Sequence, residues 1–195
     1  RLEKVINEAY DTGHLKVVVF VLPVARDELF PALTSGRGDI IMAGTTITDE
    51  RKEEVAFTIP SSKPLKEILI TGPSAPTISS LDDLSGKSVY LRPSSSYAES
   101  VSELNERLAA KGKPPVTIEP MSELLEDEDL IEMVNAGLLP WTIVDSYKPA
   151  QWHGVFTQLK VRNDLVFREG ARLGWAVRKD NPKLKAFLNN FLRDN

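Results

Sequence analysis

GDIIMAGTTITDERKEEVAFTIP, residues 38–60, decides how the rest of the sequence is read. DIIMA, residues 39–43, has the short apolar run of a buried strand. Gly44 then supplies a turn at the strand's carboxyl end, where backbone can come close to a ligand. Thr45, Thr46 and Thr48 bring hydroxyls that donate or accept. Arg51 adds a planar fork suited to a carboxylate. Open α/β sheets bind ligands at strand carboxyl ends, so this cluster is the first candidate site. From spacing alone, a plain helix start with Thr48 as cap and Arg51 in the first turn is the simpler reading.

Outward from that stretch, residues 1–12 carry a helical pattern closed by Gly13, and valine-rich residues 15–22 read as a buried strand. Residues 25–35 read as a helix ended by Gly36. Helix, strand, helix, strand is the rhythm of a parallel α/β sheet. Residues 63–71 form a long strand, and GPSAPTISS, residues 72–80, is a lobe boundary by composition. The second half repeats the rhythm. Strands are expected at 87–92, 116–119, 141–144, 158–161 and 171–178, with helices at 97–111, 123–136 and 182–192. The pattern begins on a helix at Arg1 with no strand, leader or initiator Met before it, so a first strand is expected to be missing and targeting information to lie outside this stretch.

Ser94, Ser95 and Ser96 sit between a strand and a helix, where backbone N–H groups and hydroxyls make an anion site or an ordinary cap. Asp145 ends an apolar strand and would project its carboxylate at the sheet edge, or cap the helix that follows. The 195 residues hold 24 Lys and Arg against 28 Asp and Glu, a net charge of −4, which argues against nucleic acid as a partner. There is no cysteine, and His14 and His153 are the only histidines, so neither a thiolate zinc site nor any other metal or cofactor is expected. No apolar run is long enough to span a membrane. The acidic run at 126–129 reads as a solvated helix face, and Trp141, Trp152 and Trp175 as core.

Residues 38–60 resemble the signature of periplasmic solute-binding proteins for polar amino acids, family 3: Asp39, Gly44, Thr46, Thr48, Arg51, Phe57 and Thr58 match in order and spacing. LDDLSGKSVYLRPSSSYAES, residues 81–100, is similar to that family's second-lobe segment, and residues 171–192 to its return strand and last helix. VARDELFPALTSGRGD, SSSYAESVSELNERL and LLEDEDLIEMVNAGLLPWTIVD narrow the resemblance to the receptor-like domain of membrane-bound lytic murein transglycosylases of the F type.

The resemblance implies a type 2 periplasmic-binding-protein fold. Lobe one would be 1–71 plus 172–195 and lobe two 77–168, joined by hinge strands near Ile68 and Leu173. It implies a non-catalytic binding module in the Gram-negative periplasm or envelope, with a lysozyme-like catalytic domain in cis. The alternative it leaves open is the stand-alone receptor of an ABC importer. The ligand would be an α-amino acid or a peptidoglycan stem peptide held in an interlobe cleft. Arg51 would clamp its carboxylate together with Ser95 and the N–H groups of Ser94, Ser95 and Ser96. Thr46, the Gly44 carbonyl and Asp145 would hold its ammonium. The sequence departs from the family at two points. The family's Gly-Thr pair is Ser94-Ser95 here, and a ligand-flanking aromatic is replaced by Arg26, which points to an acidic ligand.

Overall fold

The structure, a computed structural model, describes residues 1–194. The chain divides into two compact units, unit 1 from Arg1–Ser61 and Leu173–Asn195 and unit 2 from Ser62–Arg172. Unit 1 opens with α1 (Leu2–Ala9), a 3-10 turn (Arg26–Glu28) and α2 (Leu29–Thr34), followed by β1 (Ile41–Thr46), α3 (Asp49–Glu54) and β2 (Ala56–Phe57). Unit 2 runs through β3 (Leu65–Thr71), β4 (Ser88–Leu91), α4 (Ser96–Ala110), β5 (Thr117–Pro120), α5 (Asp127–Asn135), β6 (Trp141–Asp145), α6 (Lys148–Gln151) and β7 (Lys160–Ala171). The chain returns to unit 1 as β8 (Leu173–Val177) and α7 (Pro182–Arg193).

In unit 1, β8 lies between β1 and β2 and pairs antiparallel with both. One face packs Leu33, Ile41, Val55, Phe57 and Ala176 together, and the other buries Val177 against Leu2, Leu188 and Phe191. The amphipathic α7 starts on Asn181, whose side chain accepts from the Leu184 N–H, with Pro182 in its first turn.

The valine-rich stretch 15–22 is not the buried strand expected from its composition. It joins no sheet, and Phe20 and Val21 are 79% and 88% exposed. β-Branched residues favour a strand only where a neighbouring edge takes their backbone groups. Here side chains of α1 take them instead: Asn7 holds both the N–H and the carbonyl of Val17, and Glu3 accepts from the Val19 N–H.

In unit 2, β3 is the centre of a three-stranded antiparallel sheet, β6-β3-β7, and is covered on both faces. Ile68 and Ile70 face α5 residues Leu130, Ile131 and Val134, whereas Leu69 faces Val101, Leu104 and Leu108 of α4. This is the two-residue alternation of a strand, and burial on both sides explains the unbroken apolar run. Among the described residues the expected parallel pairing is found between β4 and β5, joined through α4, and the other strand pairs are antiparallel. β7 is far longer than the stretch 158–161 expected, because the polar Arg162, Asn163 and Asp164 interrupt the apolar signal while Leu165 and Phe167 are buried. Gly72 follows β3, and a Cβ there would lie 2.0 Å from the Val134 carbonyl oxygen, so no side chain fits.

Candidate functional site

In unit 1 the end of β1 is shaped by Gly44, whose φ of +63° belongs to the left-handed region. The register between β1 and β8 shifts between Ile41 and Thr45, and the turned backbone leaves Thr45, Thr46 and Thr48 buried. The Thr48 hydroxyl accepts the Arg51 N–H at 3.2 Å and so caps α3. The Arg51 guanidinium donates to the Thr46 carbonyl at 3.1 Å and lies 5.5 Å from the centre of the Phe30 ring. Cap and cation are therefore products of the same turn: Thr48 starts the helix, and the helix swings Arg51 back over the strand end. Arg26 reaches the same strand, donating to the Ala43 carbonyl at 2.7 Å. Gly44, Thr46, Arg51 and Arg26 thus meet at one end of β1. Two guanidinium forks fixed there by backbone carbonyls suit planar carboxylates.

In unit 2, Asp145, Glu67 and Arg168 stand in register on β6, β3 and β7. Glu67 is fully buried. Its two oxygens accept from the hydroxyls of Ser96, at 2.7 Å, and Ser100, both in the first turns of α4. The Ser96 hydroxyl, grouped by sequence with its two neighbours, therefore turns into the core. Ser95 is the N-cap residue of α4, but its hydroxyl donates to the Arg92 carbonyl at 2.7 Å. Ser94 is engaged by an acidic residue that sequence reasoning did not single out: Glu123 accepts from the Ser94 N–H at 2.9 Å and from its hydroxyl at 2.5 Å.

Asp145 is 4% exposed, and its Oδ1 has no hydrogen-bond partner. Burial, reinforced by the facing Glu67 and by Asp127 and offset by Lys148, pushes its carboxyl up to about 6. Its N–H donates to the Tyr97 hydroxyl, which in turn donates to Asp127. Asp127 also accepts from Arg92, at 2.5 Å, and from Lys148. Burial alone would raise Asp127, but the Lys148 and Arg92 charges outweigh it and hold the carboxyl below its ordinary value. Asp127 is thus a core residue, not part of the solvated face expected for 126–129. The signal was its spacing to Leu130, Ile131 and Val134, which puts it on the buried stripe of α5. Two neighbouring carboxylates differ in consequence: Asp127 is fully compensated and structural, whereas Asp145 is buried, ionisable near neutrality and short of a donor. That combination leaves the Asp145 carboxylate with an acceptor oxygen still to be satisfied. Among the described residues no group of three or more His, Asp or Glu is placed to hold a metal ion, and no helix is long and apolar enough to cross a membrane.

Comparison with known proteins gives these features a family. The family model of bacterial extracellular solute-binding proteins, family 3, matches residues 6–195. The chain is 31% identical over 169 residues to a membrane-bound lytic murein transglycosylase F of Pseudomonas fluorescens, covering 85% of this chain and 33% of the relative. A protein of the same name from Ectopseudomonas mendocina is 31% identical over 153 residues, 77% of this chain and 29% of the relative. The chain thus spans about a third of the length of these curated relatives. Among solved structures, an ancestral arginine-binding protein bound to arginine superposes with a TM-score of 0.72 at 25% identity, over 99% of this chain and 79% of that one. The substrate-binding protein of an amino acid ABC transporter gives a TM-score of 0.77 at 20% identity, over 99% and 78%. The fold is the mixed α/β fold of type 2 periplasmic binding proteins, a non-catalytic architecture. The chain belongs to the bacterial extracellular solute-binding proteins, family 3.

Proposed function

We propose that this chain is the ligand-binding module of a peptidoglycan lytic transglycosylase of the Gram-negative envelope, and that it takes an α-amino acid or a peptidoglycan stem peptide. Arg51 clamps the α-carboxylate, Asp145 pairs with the ammonium, and the Gly44 carbonyl and Thr46 complete the ammonium's hydrogen bonds. Arg26 receives a further carboxylate, which favours stem peptides carrying diaminopimelate. The observation that carries the reading is the buried Asp145 carboxylate with an unpartnered oxygen at the carboxyl end of β6. Similarity to transglycosylases along most of this chain supports placing it beside a catalytic domain in cis.

A stand-alone importer receptor is the second reading. It is favoured by the arginine-binding relative and by a probable histidine-binding protein of Neisseria gonorrhoeae, 45% identical over 58 residues, 30% of this chain and 21% of that protein. Calorimetry against amino acids, stem peptides and neutral chito-oligosaccharides tests the ligand class. Saturable binding of an amino acid or stem peptide is expected. Preference for a neutral oligosaccharide over all of them overturns the reading.

A further inference from the structure

The loop before α4 is the natural seat for a carboxylate in unit 2, because a helix amino terminus gathers N–H donors and positive potential. In this protein the seat is already taken by one of its own side chains. Both Glu123 oxygens are committed there, one to the Ser94 N–H at 2.9 Å and one to the Ser94 hydroxyl at 2.5 Å. The neighbouring Ser95 hydroxyl is spent on the Arg92 carbonyl, and that of Ser96 on Glu67. A ligand carboxylate arriving at Ser94 would have to displace Glu123 and would face its charge. On the same unit, Asp145 presents the opposite need, a buried oxygen lacking any donor.

We propose that Glu123 is a specificity-determining residue. It closes the Ser94 seat to carboxylates, so unit 2 recognises a ligand only through a cationic group at Asp145, and every ligand carboxylate is left to Arg51 and Arg26 of unit 1. This rests on the proposed roles of Asp145 toward an ammonium and of Arg51 toward a carboxylate. It assigns one sign of charge to each unit: ammonium to unit 2, carboxylates to unit 1. The chemical class favoured is an amine whose carboxylates all lie on one side of it. A ligand that would need to seat a carboxylate at Ser94 is selected against.

The test has two arms on the full chain. In the first, acetate is titrated into wild type and Glu123→Ala while the Ser94 and Ser95 amide resonances are followed. Glu123 is half-buried in a turn between β5 and α5, outside any helix or strand, so the variant should fold, and Glu123→Gln serves as a shape-preserving control. Saturable acetate shifts in Glu123→Ala and none in wild type are expected. Equal shifts in both proteins, or none in either, overturn the assignment. In the second arm, L-arginine is compared with L-argininamide. In an Arg51→Ala background the acid-to-amide affinity ratio should be near one, and adding Glu123→Ala should raise it about tenfold, the gain of one charge-assisted hydrogen bond. An unchanged ratio overturns the proposal. Failure of every amino acid and stem peptide to bind, with the acetate result intact, refutes the proposed function while leaving the role of Glu123 standing.

Discussion

Replacing Asp145 by Asn should make the unliganded protein more stable at neutral pH and no more stable in acid. The unfolded chain gives up this proton near pH 4, whereas the folded chain holds it to about 6, chiefly because the carboxyl is buried. Between those values the folded state binds more protons than the unfolded one, so stability falls as pH rises, and the full cost persists above 6. At about 1.4 kcal/mol per pH unit, the interval amounts to about 3 kcal/mol, with the Lys148 attraction already included. Asn keeps the shape and removes the charge. We therefore expect Asp145→Asn to gain about 1–3 kcal/mol at pH 7 and less than about 0.5 kcal/mol at pH 4. Urea unfolding at pH values from 4 to 8 measures this, with Trp141 and Trp152 reporting on unit 2 and Trp175 replaced by Phe in both proteins. Equal stabilities at every pH, or a variant that is weaker at pH 7, would refute the claim that this carboxylate is an uncompensated charge awaiting a cation.

Other outcomes follow from the same geometry. Tyr97→Phe leaves the Asp145 N–H without its acceptor and removes a donor from Asp127, which should cost about 1–3 kcal/mol in denaturant unfolding. Glu67→Ala removes the carboxylate to which both the Ser96 and Ser100 hydroxyls donate and should cost more than the single change Ser100→Ala, a ranking checked by thermal unfolding. Gly72→Ala drives a methyl against the Val134 carbonyl and should destabilise unit 2 by about 2 kcal/mol or more, readable as faster hydrogen exchange in β3. Ligand binding itself should weaken as pH falls below about 6, because protonated Asp145 no longer attracts an ammonium; calorimetry at pH 5 and pH 7 measures the difference.

The parts of the molecule that were legible in the sequence are those fixed by local signals. The turn at Gly44, the cap at Thr48 and the Asn181–Pro182 start of α7 each follow from one residue and its neighbours. The strands β3 and β6 announced themselves as apolar runs because both of their faces are covered. The rest depends on partners distant in sequence. Stretch 15–22 has strand composition, but α1 side chains hold its backbone and no sheet does. Glu67 interrupts an apolar strand and is tolerated there only because two α4 hydroxyls and Arg168 meet it across the fold. Glu123 and Ser94 lie 29 residues apart, and their pairing leaves no periodic trace. The serine triplet shows the limit most clearly, since three adjacent hydroxyls have three different acceptors.

Central to the proposed function are Asp145 as the partner of a ligand ammonium and Arg51 as the partner of a ligand carboxylate. Isothermal titration of the tightest-binding amino acid or stem peptide into wild type, Arg51→Ala and Asp145→Ala tests both roles most directly. Each substitution strands a ligand charge, so each should weaken binding by more than about 2 kcal/mol, roughly thirtyfold. Affinity retained in either variant would contradict the account.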